Sequence, residues 1–461
     1  MPRTVINMMH RLLVFGLVLS LTALAAAAPI ELRIDTTKTH QTIEGFGASG
    51  AWCGPVVGSW DDTKRKQVLK LLFDDQQGAG LSIYRYHLAA GGGQEQRDDW
   101  RRAPLIEVAP GQFDASRDLG IRFAIEASRA GAERLVAFAC TPPGRLSRNG
   151  LTRVDRGVKQ SNLAPENYRP YAEYLCDAVA YLQQQGMSID AFSPVNEPQW
   201  AWDNGLGEGL HLKPAELAAF VRVFVQVAER RMPRMELELF ESGSWRNRDV
   251  QPYLKPLLAN QRVLAATHSV ALHSYWSNNQ DRREFINWWR RQPHQKPLRM
   301  TEFCQMQGGR AAGIGSACEL ADTIIADLTI CDVVSWSWWL AVSNNDFRDG
   351  LIQSNDDGSW IEPNKRLWAL AHFGRFIETG SQRIEASCGE LPVVATRSPD
   401  ANRVVATIVN AGNESITVQL PDGIAEVWRT SKTLDCERVK DEVASRRLPA
   451  RSVTTFVITH G

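Results

Sequence analysis

Two glutamates stand where a pair of carboxyl groups could work on a single bond. Glu197 lies in Phe192-Ser193-Pro194-Val195-Asn196-Glu197-Pro198, and Glu302 closes Leu298-Arg299-Met300-Thr301-Glu302-Phe303. Each follows a short apolar run that reads as a strand. Cleaving a glycosidic bond needs such a pair flanking the anomeric carbon: one carboxyl protonated at rest to donate to the leaving oxygen, the other ionised to attack or to activate water. The negative charge of Glu302 is expected to raise Glu197 and hold it protonated, which predicts a bell-shaped pH profile. A lone glutamate at a strand end is more often a solvated cap or an ion-pair partner, and Asn-Glu-Pro alone is a short pattern. The chemical reading therefore depends on what positions the two residues.

Between residues 45 and 377 short apolar runs alternate with longer helical patterns. Strands are expected at 45–49, 81–86, 135–139, 190–194, 236–240, 271–275, 298–301 and 333–338. Helical stretches follow them, among them 62–73, 165–185, 214–231 and 312–328. Eight such units predict an α/β fold, a closed (β/α)8 or TIM barrel, whose active groups sit at the C-terminal ends of the strands. Strands four and seven face each other across such a barrel. That permits the carboxyl separation of about 5–5.5 Å required for retention of configuration. After residue 378 the texture changes to short strand-like runs at 393–396, 404–409, 415–420, 426–429 and 453–458, punctuated by Gly, Asn, Asp and Pro. They predict an appended antiparallel β-sandwich domain over 378–461, with residues 29–44 joining it as an N-terminal strand and 45–377 forming the barrel.

Lys plus Arg and Asp plus Glu both number 52, so charge gives no case for nucleic acid or an anionic membrane as partner. Tryptophans number 15, nearly matching the 16 phenylalanines; their broad apolar faces suit stacking on sugar rings, although most must serve packing. Arg3 and Arg11, the apolar run 12–24 and Ala26-Ala27-Ala28 read as a signal peptide over 1–28, and hence a secreted or periplasmic protein with no membrane attachment after cleavage. Among the eight cysteines, Cys388 and Cys436 could pair within the C-terminal domain. Cys140 and Cys331, inside apolar runs, are expected as buried thiols. No CxxC or His/Cys cluster suggests a metal, and no cofactor is implied.

Several stretches resemble glycoside hydrolase family 30: Gln41-Thr42-Ile43-Glu44-Gly45-Phe46-Gly47-Ala48-Ser49, Ser193 through Trp200, Met300-Thr301-Glu302, Lys365 through Leu370, and Phe373-Gly374-Arg375-Phe376-Ile377. The resemblance runs from about 34 to 384 and is nearest to the endo-β-1,6-galactanase-like branch. It implies a barrel with a side β-sandwich, a retaining mechanism with Glu197 as acid/base and Glu302 as nucleophile, no metal, and a β-linked polysaccharide or oligosaccharide substrate. β-1,6-Galactan is the first expectation; β-1,6-glucan, xylan and exo-acting cleavage are alternatives. Matching positions imply further roles: Asn196 on the sugar 2-hydroxyl, Arg85 and Tyr275 on Glu302, and His273 on substrate or Glu197. Trp338 would lie beneath the sugar, Trp200 and Trp202 at a neighbouring subsite, and Glu208 on sugar hydroxyls.

Plainer roles compete with these. Asn196 could form a turn, Arg85 a structural ion pair, and His273 a satisfied position behind the site; Glu208 could simply face solvent. Trp336 and Trp339 are expected as packing residues, and Asp346 and Asp349 are further candidates for sugar contact. Two departures bear on which sugar is bound: Gly144-Arg145 follow Pro142-Pro143 where an aromatic is expected, and His87 stands where the branch more often carries Asn. Two non-enzymatic readings remain beside hydrolysis, a carbohydrate-binding protein that has lost catalysis and a structural cell-surface protein.

Overall fold

The computed structural model describes residues 28–92, 103–205, 207–441 and 445–459; the expected signal peptide lies outside the described residues but for Ala28. Eight parallel strands close into a barrel: β1 Gly45–Ser49, β2 Ile83–His87, β3 Arg134–Phe138, β4 Ala191–Ser193, β5 Glu236–Ser242, β6 Thr267–His273, β7 Leu298–Glu302 and β8 Ser335–Ser343. Each pairs with the next in sequence, and β8 returns to β1. Every residue of β1, β2, β7 and β8 is buried. Strands covered by the barrel interior on one face and by helices on the other read as continuous rather than alternating apolar runs. The helices between them have their own stop and start signals. Asp61 caps Asp62–Phe73 by accepting from the amides of Thr63 and Lys64 at 3.0 and 3.1 Å. Asn278 and Asp281 form a reciprocal capping box at the start of Asn279–Trp289.

The largest departures from the expected strand bounds are in β6 and β8. β6 starts at Thr267 because its polar opening is satisfied inside the protein: the Thr267 hydroxyl donates to the Val263 carbonyl at 2.7 Å, and the Ser269 hydroxyl accepts from Arg299 at 3.1 Å. It ends at His273, which leaves Tyr275 in the loop above. β8 continues past Trp338 to Ser343 because its far half pairs with an extra parallel strand, Gly350–Ser354, itself in a hairpin with Ile361–Pro363.

The second domain holds a seven-stranded antiparallel sheet in the order Arg33–Thr42, Gln382–Ser387, Val393–Arg397, Arg403–Asn410, Ser452–Thr459, Ile424–Thr430, Glu437–Arg438. The N-terminal strand thus pairs with the chain that leaves the barrel. A small sheet of Ile30–Glu31, Ile416–Gln419 and Arg447–Leu448 covers its outer face. Strand alternation divides the side chains between two cores. Val404, Ala406, Ile408, Phe456 and Ile458 meet Leu32, Val418 and Leu448 inside the sandwich. Val405, Val409, Val453 and Val457 face the barrel and extend its core. His372, on Lys365–Gly374, joins the domains through Thr455 Oγ1 at 2.8 Å and Thr430 Oγ1 at 2.9 Å.

All eight cysteines are buried free thiols. Cys388 and Cys436 do not pair: the first belongs to the sandwich core and the second to the core shared with the barrel. Among the described residues no helix is long and apolar enough to cross a membrane.

Candidate active site

Barrel closure brings the two glutamates together. Glu197 stands in the loop just beyond β4 and Glu302 is the last residue of β7. A carboxylate oxygen of each and a ring nitrogen of His273 all lie within 4.8 Å of one another, and all three side chains are buried. Glu302 accepts from the Tyr275 hydroxyl at 3.0 Å and from Arg85 Nη1 at 3.3 Å. Glu197 Oε1 lies 2.8 Å from His273 Nδ1. These are the contacts that the family resemblance implies for Arg85, Tyr275 and His273.

A third carboxylate completes the cluster. Glu241, near the end of β5, is fully buried. It takes Arg85 Nη2 at 3.1 Å, His273 Nε2 at 3.0 Å and the Thr301 hydroxyl. Sequence reading ended the fifth strand at Phe240 and passed over Glu241. The rule that singled out Glu197 and Glu302, a glutamate at the C-terminal end of a barrel strand, applies to it equally.

The backbone here is strained. Glu197 and Glu241 adopt φ of 45° and 58°, a left-handed conformation that costs a non-glycine residue about 1–3 kcal/mol unless its surroundings over-determine it. The surroundings do so: the Glu197 amide donates to the Glu241 carbonyl at 2.9 Å, and the Trp202 indole donates to the Glu197 carbonyl at 3.0 Å.

Charge follows from these contacts. Burial alone would push Glu241 up, but the Arg85 charge and the His273 hydrogen bond hold its carboxyl down at about 2. Burial would push His273 down, but the Glu302 charge and the hydrogen bonds to Glu197 and Glu241 raise it to about 10, so it is an imidazolium at neutral pH. Burial pushes Glu302 up, reinforced by Glu197 and Glu241 and opposed by His273 and Arg85, with a net upward shift. Three carboxyl groups therefore face two cations. Two carboxyl groups as close as Glu197 and Glu302 cannot both be ionised without cost. The raised member of the pair is Glu302, whereas the sequence expectation placed the raised carboxyl on the other glutamate.

Glu197, His273 and Glu302 are also the group of described residues that could offer ligands to a metal ion. Both ring nitrogens of His273 are engaged by carboxylates, and an imidazolium has no free lone pair. The donor set suits a proton network better than a cation.

The remaining expected residues divide. Asn196 is buried beside Glu197 with its Oδ1 unpartnered. Trp200 is partly buried and stands edge-on to the exposed Trp276, ring centroids 5.3 Å apart, while Trp202 braces the Glu197 backbone. Glu208 does not face solvent. It is buried, accepts from the amides of Ala90 and Gly92 at 3.1 and 2.5 Å, and approaches His87 Nε2 at 3.4 Å. His87 stacks on Phe138, over whose ring Arg85 lies at 4.2 Å, so this departure from the branch stands one ring away from the arginine that touches Glu302. Arg145, the other departure, is held away by Glu107 at 2.7 and 2.6 Å. Asp349 is buried and accepts from Asn345 at 3.1 Å, whereas Asp346 is exposed.

Trp338 was expected beneath the sugar. It is fully buried, donates its indole N–H to the Asp349 carbonyl at 2.6 Å, and packs against Phe303 and Arg366. The β8–β1 pairing skips one residue between Trp338 and Leu340. That irregularity turns Trp339 toward Phe138 and Trp52, at centroid distances of 6.2 and 5.1 Å. Trp339 is buried against these two rings.

The sequence profile described as O-Glycosyl hydrolase family 30 matches residues 29–254 and 294–353, more than half of the chain and both glutamates. The chain belongs to glycosyl hydrolase family 30. It is an O-glycosyl hydrolase. Relatives within reach of family 30 include a Bacillus subtilis protein named glucuronoxylanase XynC, 24% identical over 94% of this chain and 92% of that one. An endo-β-1,6-galactanase from Hypocrea rufa is 22% identical over 95% of this chain and 89% of its own. In structure, the chain is similar to a conserved exported protein from Bacteroides fragilis, with a TM-score of 0.81 at 22% identity over 93% of this chain and all of that one. The family 30 fold, barrel and side sheet together, is therefore shared along nearly the whole length.

Proposed function

We propose that this family 30 hydrolase is an exported, retaining endo-β-glycosidase whose substrate is β-1,6-galactan. The observation that carries the mechanism is the approach of Glu197 and Glu302 oxygens to within 4.8 Å across the barrel mouth. Inverting enzymes hold their carboxyl groups about 6.5–9.5 Å apart to admit a water, whereas retaining enzymes hold them about 5–5.5 Å apart.

In the first step Glu302 attacks the anomeric carbon as Glu197 protonates the departing oxygen, and the glycosidic C–O bond breaks. In the second step Glu197 takes a proton from water. The water oxygen displaces Glu302, and the sugar is released with its configuration retained. Arg85 and Tyr275 keep Glu302 aligned and stabilise its charge. Asn196 meets the 2-hydroxyl. His87 and Glu208 are suited to reading sugar hydroxyls.

Support for β-1,6-galactan is the motif resemblance and the Hypocrea relative. Xylan is the second reading, favoured by the slightly higher identity to the glucuronoxylanase, 24% against 22%. Export rests on the N-terminal sequence. Product analysis on a panel of β-linked polysaccharides separates the readings. Short oligosaccharides from β-1,6-galactan support the first, release from xylan alone supports the second, and binding without turnover of any polymer leaves a carbohydrate-binding protein.

A further inference from the structure

Glu241 touches the proposed acid/base residue by two routes. Its backbone carbonyl accepts the Glu197 amide at 2.9 Å, and both residues sit in left-handed conformations. Its side chain reaches Glu197 through His273, with Oε2 3.0 Å from Nε2 and Glu197 Oε1 2.8 Å from Nδ1. Glu241 is fully buried between Arg85, His273 and the Thr301 hydroxyl, leaving it no role as a solvated surface acid. A buried carboxylate is costly unless opposite charge and hydrogen bonds compensate it, so its position needs an explanation beyond packing.

We propose that Glu241 is a positioning residue for the acid/base step: it keeps His273 doubly protonated, and His273 in turn orients Glu197 and fixes how many protons the catalytic pair holds. This rests on the retaining reading above. The logic is a count of charge. With Glu241 ionised, Arg85 and His273 balance Glu241 and one further carboxylate, so the Glu197–Glu302 pair retains a proton. Without the Glu241 charge the same cluster carries an excess positive charge. It relaxes by losing a proton at lower pH, from His273 or from the catalytic pair. Loss from the pair removes the acid's proton, and loss from His273 removes one of the two N–H donors that hold Glu197 and Glu241.

The groups against His273 are Glu197 beyond β4, Glu241 of β5, Tyr275 beyond β6 and Glu302 of β7, at 2.8, 3.0, 5.8 (ring centroids) and 3.9 Å. Arg85 of β2 touches Glu241 and Glu302, and Cys140, Cys304 and Glu238 act on members of the same cluster. Burial pushes the thiols of Cys140 and Cys304 and the Tyr275 hydroxyl well above their usual values, so they stay neutral in the working range.

The test is the pH profile of kcat/KM for Glu241→Gln, which keeps the shape and one acceptor oxygen but removes the charge. The alkaline limb is expected to move to lower pH by about one unit or more. Glu241→Asp should restore part of the shift, and Thr301→Val should move the limb less in the same direction. A folded Glu241→Gln enzyme with unmoved limbs, whether active or uniformly slowed, overturns the proposal. Should Glu241→Gln fail to fold, imidazole nitrogen NMR of the wild-type enzyme decides. The His273 signals, assigned by their loss in His273→Gln, should remain those of an imidazolium through pH 8, and a neutral ring below pH 7 overturns the proposal. Full activity in Glu302→Gln would instead defeat the retaining reading, whatever the His273 signals show.

Discussion

Gly243 presses directly on Glu197: a Cβ placed on Gly243 would lie 2.7 Å from Glu197 Oε1, 2.6 Å from Trp200 Nε1 and 3.0 Å from Gln199 Nε2. No methyl group fits there without moving the carboxyl, because real contacts of this kind do not fall below about 3.0 Å. Gly243→Ala should therefore fold normally and lose activity through displacement of Glu197. A misplacement of about 1 Å near the reacting atoms costs roughly 10²-fold in kcat. Steady-state kinetics beside a thermal melt checks this. A loss of stability that accounts for the lost activity would count against the argument.

Glu197→Gln should separate the two chemical steps. Removing a general acid costs about 10²–10⁴-fold. The loss should be large on polysaccharide, whose leaving oxygen needs a proton, and small on an aryl β-glycoside whose phenolate leaves unaided. Comparing kcat/KM on the two substrate types measures the effect. An equal loss on both would assign Glu197 a structural role.

Tyr275 donates to Glu302 at 3.0 Å from the loop above β6. A hydrogen bond to a charged group contributes about 1.5–3 kcal/mol, so Tyr275→Phe should lower kcat/KM by about 10- to 100-fold. The phenylalanine keeps the contacts of the ring with Trp276 and Phe303, so the melting temperature should change little.

His372 makes a prediction about stability. Burial, then the charges of Arg375 and Arg429, hold it down at about 3, so it is neutral in the fold and takes up a proton near 6.5 when unfolded. The unfolded chain binds more protons than the folded one between those values, so His372 withdraws stability as pH falls from 6.5 toward 3. In His372→Asn that slope is absent. The melting-temperature advantage of wild type over the variant should narrow steadily as pH is lowered from 6.5 toward 3; an advantage that holds constant would contradict the assignment.

Much of the barrel was legible in the sequence because strands buried on both faces leave continuous apolar runs, such as 135–139, and because the glutamates that follow β4 and close β7 lie in recognisable motifs. Glu241 was passed over although the strand-end rule reaches it; its partners were not legible, because only closure brings Arg85 and His273 to its carboxyl. The full burial of Trp338 was not legible for a similar reason. A one-residue irregularity in register swaps which side chain faces the interior, and nothing in Trp336-Ser337-Trp338-Trp339 marks where it falls. The cysteine pairing failed because proximity in sequence says nothing about which face of a sheet each thiol occupies.

The most direct test of the two-carboxylate account is to trap the covalent intermediate. A 2-deoxy-2-fluoro β-glycoside with a good leaving group slows hydrolysis of the glycosyl-enzyme more than its formation, so the adduct accumulates and can be located by peptide mass spectrometry. The account predicts one glycosyl group, carried by Glu302 and absent from Glu302→Gln. An adduct on Glu197, or an inverted anomer as the first product of a turning-over enzyme, would contradict it.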